Sequence, residues 1–272
     1  MNTLQSIIIA IIEGITEFLP ISSTAHMKFA NPFLGIESSP FVDLFEIVIQ
    51  LAAIASVVVI YRKKFFDFKH FSFYIKLIIA VIPALIFGAL LKKYIDAALG
   101  NLWVIAIVMV AGGVILIFID KFFEKAEAAK TEESDQEGVT YKKSFIIGCF
   151  QVLSILFPGL SRSAATIIGG MSQQLNKKTA LEFSFFLAVP TMFAATCKKS
   201  YDYYKLGITL NATDINLLII GNVVGFVVAL IAIKSFIHYL SNNGFKVFGY
   251  YRIAIGASIL ILYALGVPLS IN

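Results

Sequence analysis

Charge is scarce in this 272-residue sequence: only 14% of its residues are Asp, Glu, Lys or Arg, about half the share in a soluble domain. With 58% hydrophobic residues and a mean hydropathy of +0.85, that scarcity excludes disorder, a coiled coil and a water-soluble fold. Cysteine is nearly absent. Cys149 and Cys197 are isolated, form neither a CxxC pair nor a disulfide framework, and are expected to pack within apolar runs. The three histidines His26, His70 and His238 are scattered and offer no zinc cluster. No Lys or Arg precedes Lys28, so the charged n-region of a signal peptide is missing. Period-two alternation is missing too, which excludes a β-barrel.

What remains is an all-α polytopic membrane protein. Six stretches are long enough, or nearly so, to span a hydrocarbon core of about 30 Å at about 1.5 Å per residue. They are Leu44–Tyr61, Phe73–Leu91, Leu102–Ile119, Leu181–Cys197, Ile215–Ile237 and Tyr250–Val267. Two apolar stretches are shorter. Leu4–Leu19 is interrupted by Glu13 and Glu17 and stopped by Pro20; Ser144–Phe157 is stopped by Pro158-Gly159. After each stop comes a hydroxyl cluster and a second short apolar piece, the pattern of a re-entrant helical hairpin.

The arrangement occurs twice. With Pro20 placed on Pro158, Glu13 falls on Gln151, Thr16 on Ser154 and Ser23 on Ser161. Three spans follow each break, and an odd number per repeat inverts the second copy. The expected architecture is therefore two inverted-topology repeats, each a re-entrant hairpin plus three transmembrane helices. The first covers 1–120 with its hairpin at 4–30, and the second covers 144–272 with its hairpin at 144–171. Residues 121–143 form a solvated linker between them.

Loop charge sets the orientation. Fifteen Lys and Arg residues, among them Arg62, Lys121, Lys246 and Arg252, fall on the side away from the N-terminus, against six with Lys28 on the near side. The positive side is cytoplasmic, so both termini are expected outside and the 121–143 linker in the cytoplasm. The net charge of +5 belongs to those loops and calls for no nucleic acid.

Ionisable groups at membrane depth cost at least about 2.5 kcal/mol each on insertion scales. Glu13 and Glu17, four apart, share one helical face. Either they are buried structural acids or they hold a hard divalent cation, Mg²⁺ or Ca²⁺. Arg162, between Ser161 and Ser163 at a new helix start, either pairs with a glutamate or takes an anion with the free amides there. Ser22, Ser23 and Thr24, followed by His26, repeat the idea, although Ser and Thr after a break also serve as plain N-caps. Glu46 and Glu182, early in the first span of each repeat, either serve the site or stabilise the repeat interface. Convergence of two helix starts and a carboxylate pair suits a phosphate or pyrophosphate with its metal, in an enzyme or in a transporter.

EGITEFLPISSTAHM (13–27) and PGLSRSAATIIGG (158–170) closely resemble the two signature segments of the bacitracin-resistance family of undecaprenyl-pyrophosphate phosphatases. FEIVIQLAAI and EFSFFLAVP resemble that family as well, and the likeness runs through essentially the whole chain. Ala164 stands where the family pattern PGxSRSG has glycine, a change small enough to keep close packing. The resemblance implies a bacterial inner-membrane hydrolase with its active site facing the periplasm. It implies removal of the terminal phosphate of undecaprenyl pyrophosphate, which recycles the lipid carrier for peptidoglycan synthesis and confers bacitracin resistance, bacitracin competing for the same substrate. A divalent cation requirement comes with it, and membrane lipid and a second copy of the chain stand as further expected partners.

By motif, the resemblance carries function to Glu13, Glu17, Ser22, Ser23, Thr24 and His26 in the first segment, and to Ser161, Arg162 and Ser163 in the second. On this reading Glu13 and Glu17 hold the metal, Arg162 and the hydroxyls bind phosphate, and Ser23 attacks with His26 as proton-transfer partner; His26 as nucleophile is the alternative. The other membrane lipid-phosphatase pattern is excluded: the chain has no Arg-Pro, no Ser-Gly-His and no His six residues beyond Arg162. A flippase without hydrolysis is the competing function class, because inverted repeats with a midplane site also build transporters.

Overall fold

The computed structural model describes residues 1–69, 71–128 and 138–267. These residues form twelve helices and no strand. In chain order they are α1 (Thr3–Thr16), α2 (Ser23–Phe33), α3 (Pro40–Ile60), α4 (Arg62–Phe65), α5 (Phe71–Leu90), α6 (Lys92–Leu99), α7 (Leu102–Ala128), α8 (Tyr141–Leu156), α9 (Arg162–Ser172), α10 (Lys177–Lys205), α11 (Ala212–Asn243) and α12 (Lys246–Ala264).

Six of them, α3, α5, α7, α10, α11 and α12, are long and apolar enough to cross a bilayer, one for each expected span. The chain is a multi-pass membrane protein. The 14 residues of α1 and the 16 of α8 reach only about 21–24 Å, short of the hydrocarbon core. Each is followed by a turn and an 11-residue helix, α2 or α9. The linker expected at 121–143 is shorter at both ends, because α7 continues to Ala128 and α8 begins at Tyr141. Its middle lies outside the described residues, as does His70.

Local signals explain where the helices start. Ser39 caps α3, accepting from the Val42 amide at 3.2 Å, and Pro40 opens the first turn where no amide hydrogen is needed. Asn2 and Gln5 make a reciprocal capping box on α1, and Asn211 and Asp214 make another on α11.

Packing follows small residues. In lipid there is little hydrophobic drive between helices, so close backbone approach must supply the attraction. The α7–α12 seam shows it: a Cβ on Gly249 would lie 2.7 Å from the Gly113 carbonyl, and one on Gly256 would lie 2.8 Å from that of Ala106. Around it, α3 packs on α10 and α11, α1 on α11, and α8 on α5. The turn residue Phe18 is fully buried and meets Phe185 of α10 edge to face at 5.2 Å. Outward positions such as Ile82, Ile86, Val223 and Val227 are exposed, as suits lipid contact. Cys149 and Cys197 are exposed too; they lie in apolar runs but on outward faces, and the expectation that they pack inside is corrected.

Candidate active site

The two breaks in the helices share one backbone device. Ser22 caps α2 at φ 70° and Ser161 caps α9 at φ 77°. Non-glycine residues resist this region at a cost of about 1–3 kcal/mol, and such strain collects at functional sites. Each cap oxygen accepts from the amide three residues on, Ala25 at 3.4 Å and Ala164 at 3.3 Å. The caps therefore match Ser22 with Ser161, one residue away from the expected pairing of Ser23 with Ser161. The second turn is one residue longer and contains Gly159 at φ +99°, where a side chain would also strike the Ile105 carbonyl at 2.7 Å.

Beyond the caps the breaks touch. Ser163 Oγ donates to the Leu19 carbonyl at 2.9 Å, so the 2.9 Å contact between Ser161 and Ser163 has Ser161 as donor. Arg162 Nη2 donates to Glu17 Oε1 at 2.8 Å, and Nη1 donates to the Ser184 carbonyl of α10 at 3.1 Å. On the other oxygen, Ser23 Oγ donates to Glu17 Oε2 at 2.6 Å. Ser23, Glu17 and Arg162 thus form one hydroxyl–carboxylate–guanidinium chain, buried at Ser23 and Glu17 and partly exposed at Arg162. Arg162 Nε is buried with no partner, a charged donor left over after its structural bonds. The pairing of Arg162 with a glutamate, open as an alternative in the sequence, is realised, and Nε takes no part in it. Thr24 is half-buried at the same helix start, where the first amides of a helix lack intrahelical partners.

Glu13 is fully buried on α1, and neither carboxylate oxygen has a hydrogen-bond partner. Its ionisable and polar neighbours are Glu17, Glu46 and Ser23. A buried carboxylate facing another carboxylate costs several kcal/mol in its charged form, and either a proton or a cation removes that cost. Hard oxygen donors suit Mg²⁺ or Ca²⁺, so Glu13 fits a metal-ligand role. Glu17 fits it less freely, since both of its oxygens are engaged. Among the described residues no three of His, Cys, Asp and Glu assemble a ready-made cage; substrate oxygens and water would complete the coordination. At the matching point of α8, Gln151 is buried and neutral, so the site takes its carboxylates from the first break and its guanidinium from the second.

The outer glutamates differ. Glu46 is buried, accepts from Asn31 Nδ2 at 2.8 Å and pairs with Lys28 Nζ at 3.0 Å. Lys28 is itself buried and is no loop charge, which corrects its place in the sidedness count. Glu182 lies beside the Tyr61 hydroxyl instead, so the two occupy unlike environments.

His26 is not on Ser23. Its Nδ1 lies 2.8 Å from the Ser22 carbonyl, which can only accept, so Nδ1 carries the hydrogen. In the neutral ring Nε2 then accepts from Tyr251 Oη at 2.9 Å, and the two rings stack at 5.5 Å. The expected Ser23–His26 couple is thereby corrected: Glu17 is the group on the serine. Tyr251 and its neighbour Arg252 are functional candidates that sequence reasoning missed. Arg252, assigned to a cytoplasmic loop, is fully buried against both breaks.

An apolar groove of about 190 Å³ opens between α7, α8 and α9, with Leu160, Ala164, Leu153 and Ile168 in its wall.

Fold and site together define a multi-pass helical membrane protein with a buried, charge-lined site at two broken helices. Comparison with known proteins carries this further. The sequence profile described as Bacitracin resistance protein BacA matches residues 6–258, and the chain belongs to that family. It is 54% identical over 271 residues to the undecaprenyl-diphosphatase of Flavobacterium johnsoniae, with the whole of both chains covered. It is 47% identical over 288 residues to that of Porphyromonas gingivalis, again with full coverage. The undecaprenyl-diphosphatase of Streptococcus thermophilus shares 39% identity, covering 96% of this chain and 93% of the relative.

Proposed function

We propose that the protein hydrolyses undecaprenyl pyrophosphate to undecaprenyl phosphate and inorganic phosphate. The single observation carrying this mechanism is the Ser23–Glu17–Arg162 chain, in a family whose relatives are named for that activity. Phosphoryl transfer asks mainly for positioning and for charge stabilisation. Ser23 Oγ attacks the terminal phosphorus while its proton passes to Glu17 Oε2. The anhydride P–O bond breaks, and undecaprenyl phosphate leaves with the electron pair. Arg162, through its free Nε, and the open amides at the starts of α2 and α9 take the charge on the phosphoryl oxygens. Glu17 passes the serine proton to the departing phosphate, and its freed carboxylate then deprotonates the water that releases phosphate from Ser23. Glu13, with Glu17 beside it, would hold a divalent cation, which when bound neutralises diphosphate charge.

Ser22, Ser161 and Ser163 hold the two helix starts in place, and Thr24 lines the mouth of the first. His26, bonded to the Ser22 carbonyl and to Tyr251, would serve in proton exchange rather than in attack. The groove at Leu160 and Ala164 suits the first isoprene units of the lipid tail, being apolar and bordered by the residues that flank the second break.

The architecture fits two inverted repeats covering 1–120 and 144–272. In support, α1 packs on α11 of the other half while α8 packs on α5, and α7–α12 and α3–α10 are self-matching pairs. We place the protein in the bacterial inner membrane with both termini and the site mouth outside. Removing buried Lys28 and Arg252 from the loops leaves the positive excess on the same side. Bacitracin, on this reading, competes for the substrate, and the relatives' names favour hydrolysis over transport alone.

Purified protein in detergent micelles, where no sidedness exists, should release phosphate from undecaprenyl pyrophosphate in the presence of Mg²⁺ or Ca²⁺. No release with either ion, with the protein folded, would overturn the proposal.

A further inference from the structure

Arg252 is the largest fully buried side chain among the described residues, and it carries a charge. Its five N–H donors meet five main-chain carbonyls. Nε donates to Met109 at 3.2 Å, Nη1 to Pro20 at 3.1 Å and Leu160 at 2.6 Å, and Nη2 to Gly159 at 2.8 Å and Val108 at 3.4 Å. Among the described residues no carboxylate pairs with it. A buried cation ordinarily keeps an anionic partner; this one is spent on backbone.

The identity of that backbone is informative. Pro20 belongs to the first break, Gly159 and Leu160 to the second, and Met109 and Val108 to the middle of α7. One planar guanidinium therefore bridges two turns about 140 residues apart. Nη1 alone bonds to both, so a slip of either turn breaks a bond. The rest of α7 is shaped to admit it: a Cβ on Gly112 would lie 2.3 Å from Arg252 Nη2.

We propose that Arg252 is a positioning residue for phosphoryl transfer, fixing the first break against the second so that Ser23–Glu17 and Arg162 address the same phosphorus. It touches none of those three side chains and acts through the turn carbonyls. Displacing reacting groups by about 1 Å costs on the order of 10²-fold in rate. Binding of the diphosphate, which rests on Arg162 and helix amides within each break, is much less sensitive to the same slip. The inference deepens the hydrolysis reading and depends on it.

The test is steady-state hydrolysis of undecaprenyl pyrophosphate by Arg252→Lys and Gly112→Ala, alongside the unaltered protein, with folding read by size exclusion and thermal unfolding in detergent. Lys keeps the charge but has three donors on a flexible stem and cannot span both turns; the Ala methyl displaces the guanidinium from the α7 side. Both folded variants should lose kcat by roughly 10²-fold with KM within about threefold of the unaltered protein. Wild-type kcat in either folded variant would overturn the proposal. So would a rise in KM with kcat preserved, which would make Arg252 a binding charge, or failure of both variants to fold, which would make it a folding determinant. If the unaltered protein releases no phosphate, the hydrolysis reading itself fails and takes this inference with it.

Discussion

Arg162 Nη2 lies 2.8 Å from Glu17 Oε1, joining the second break to the first across 145 residues of sequence. The ion pair does two jobs at once. It orients the carboxylate whose other oxygen holds Ser23, and it turns the guanidinium so that Nε is left unsatisfied.

Arg162→Lys should therefore fail almost as badly as Arg162→Ala. An ammonium cannot bond to Glu17, the Ser184 carbonyl and a phosphate oxygen in one fixed plane. A kcat loss on the order of 10²–10³-fold is expected, as for removal of one transition-state donor, with the protein still inserted. A Lys variant that keeps most of its turnover would reduce Arg162 to a structural counter-ion.

Glu13→Gln should separate activity from stability. The substitution removes a buried, unpartnered carboxylate at nearly constant volume, so thermal unfolding in chelator should be unchanged or raised. Divalent-cation stimulation of turnover should be lost. Retention of normal metal dependence in Glu13→Gln would remove Glu13 from the cation site.

Serine and histidine part company in their expected effects. His26→Ala takes away a ring bonded to Ser22 and Tyr251 and leaves Ser23–Glu17 intact. It should keep a measurable rate, down by no more than about 10²–10⁴-fold, the usual span for one acid–base group. Tyr251→Phe should follow in the same direction and to a smaller extent. Ser23→Ala should fall below both. A Ser23→Ala enzyme faster than His26→Ala would reverse the assignment.

Topology can be read in whole cells. With Cys149 and Cys197 replaced by Ser, a membrane-impermeant maleimide should label Thr209→Cys in intact cells. Lys69→Cys should react only after permeabilisation. The opposite pattern would turn the site mouth to the cytoplasm.

The residues that were legible in the sequence share one property: they interrupt an apolar run beside a proline. Glu13, Glu17, Ser23 and Arg162 are conspicuous because polar groups at membrane depth need a reason, and the structure brings the last three into direct contact. The six spans were legible for the complementary reason, since length and hydropathy alone fix them. Pairing within the site was not. Proximity of His26 to Ser23 along the chain suggested a couple, whereas the helix start turns the imidazole back onto the Ser22 carbonyl. Arg252 was hidden because a cation at the head of an apolar span reads as a loop charge. Its six-residue depth within α12 (Lys246–Ala264) decides the matter only once the helix boundary is known. The Gly112-Gly113 pair inside an otherwise bulky apolar helix was its one trace in sequence.

The most direct measurement is rapid acid quench of turnover on substrate labelled at the terminal phosphate, followed by peptide mapping. Serine attack with Glu17 as base predicts an acid-stable phosphoryl group on the peptide carrying Ser23, absent in Ser23→Ala and greatly diminished in Glu17→Gln. An acid-labile phosphoryl group on His26, or undiminished turnover by Ser23→Ala, would contradict it.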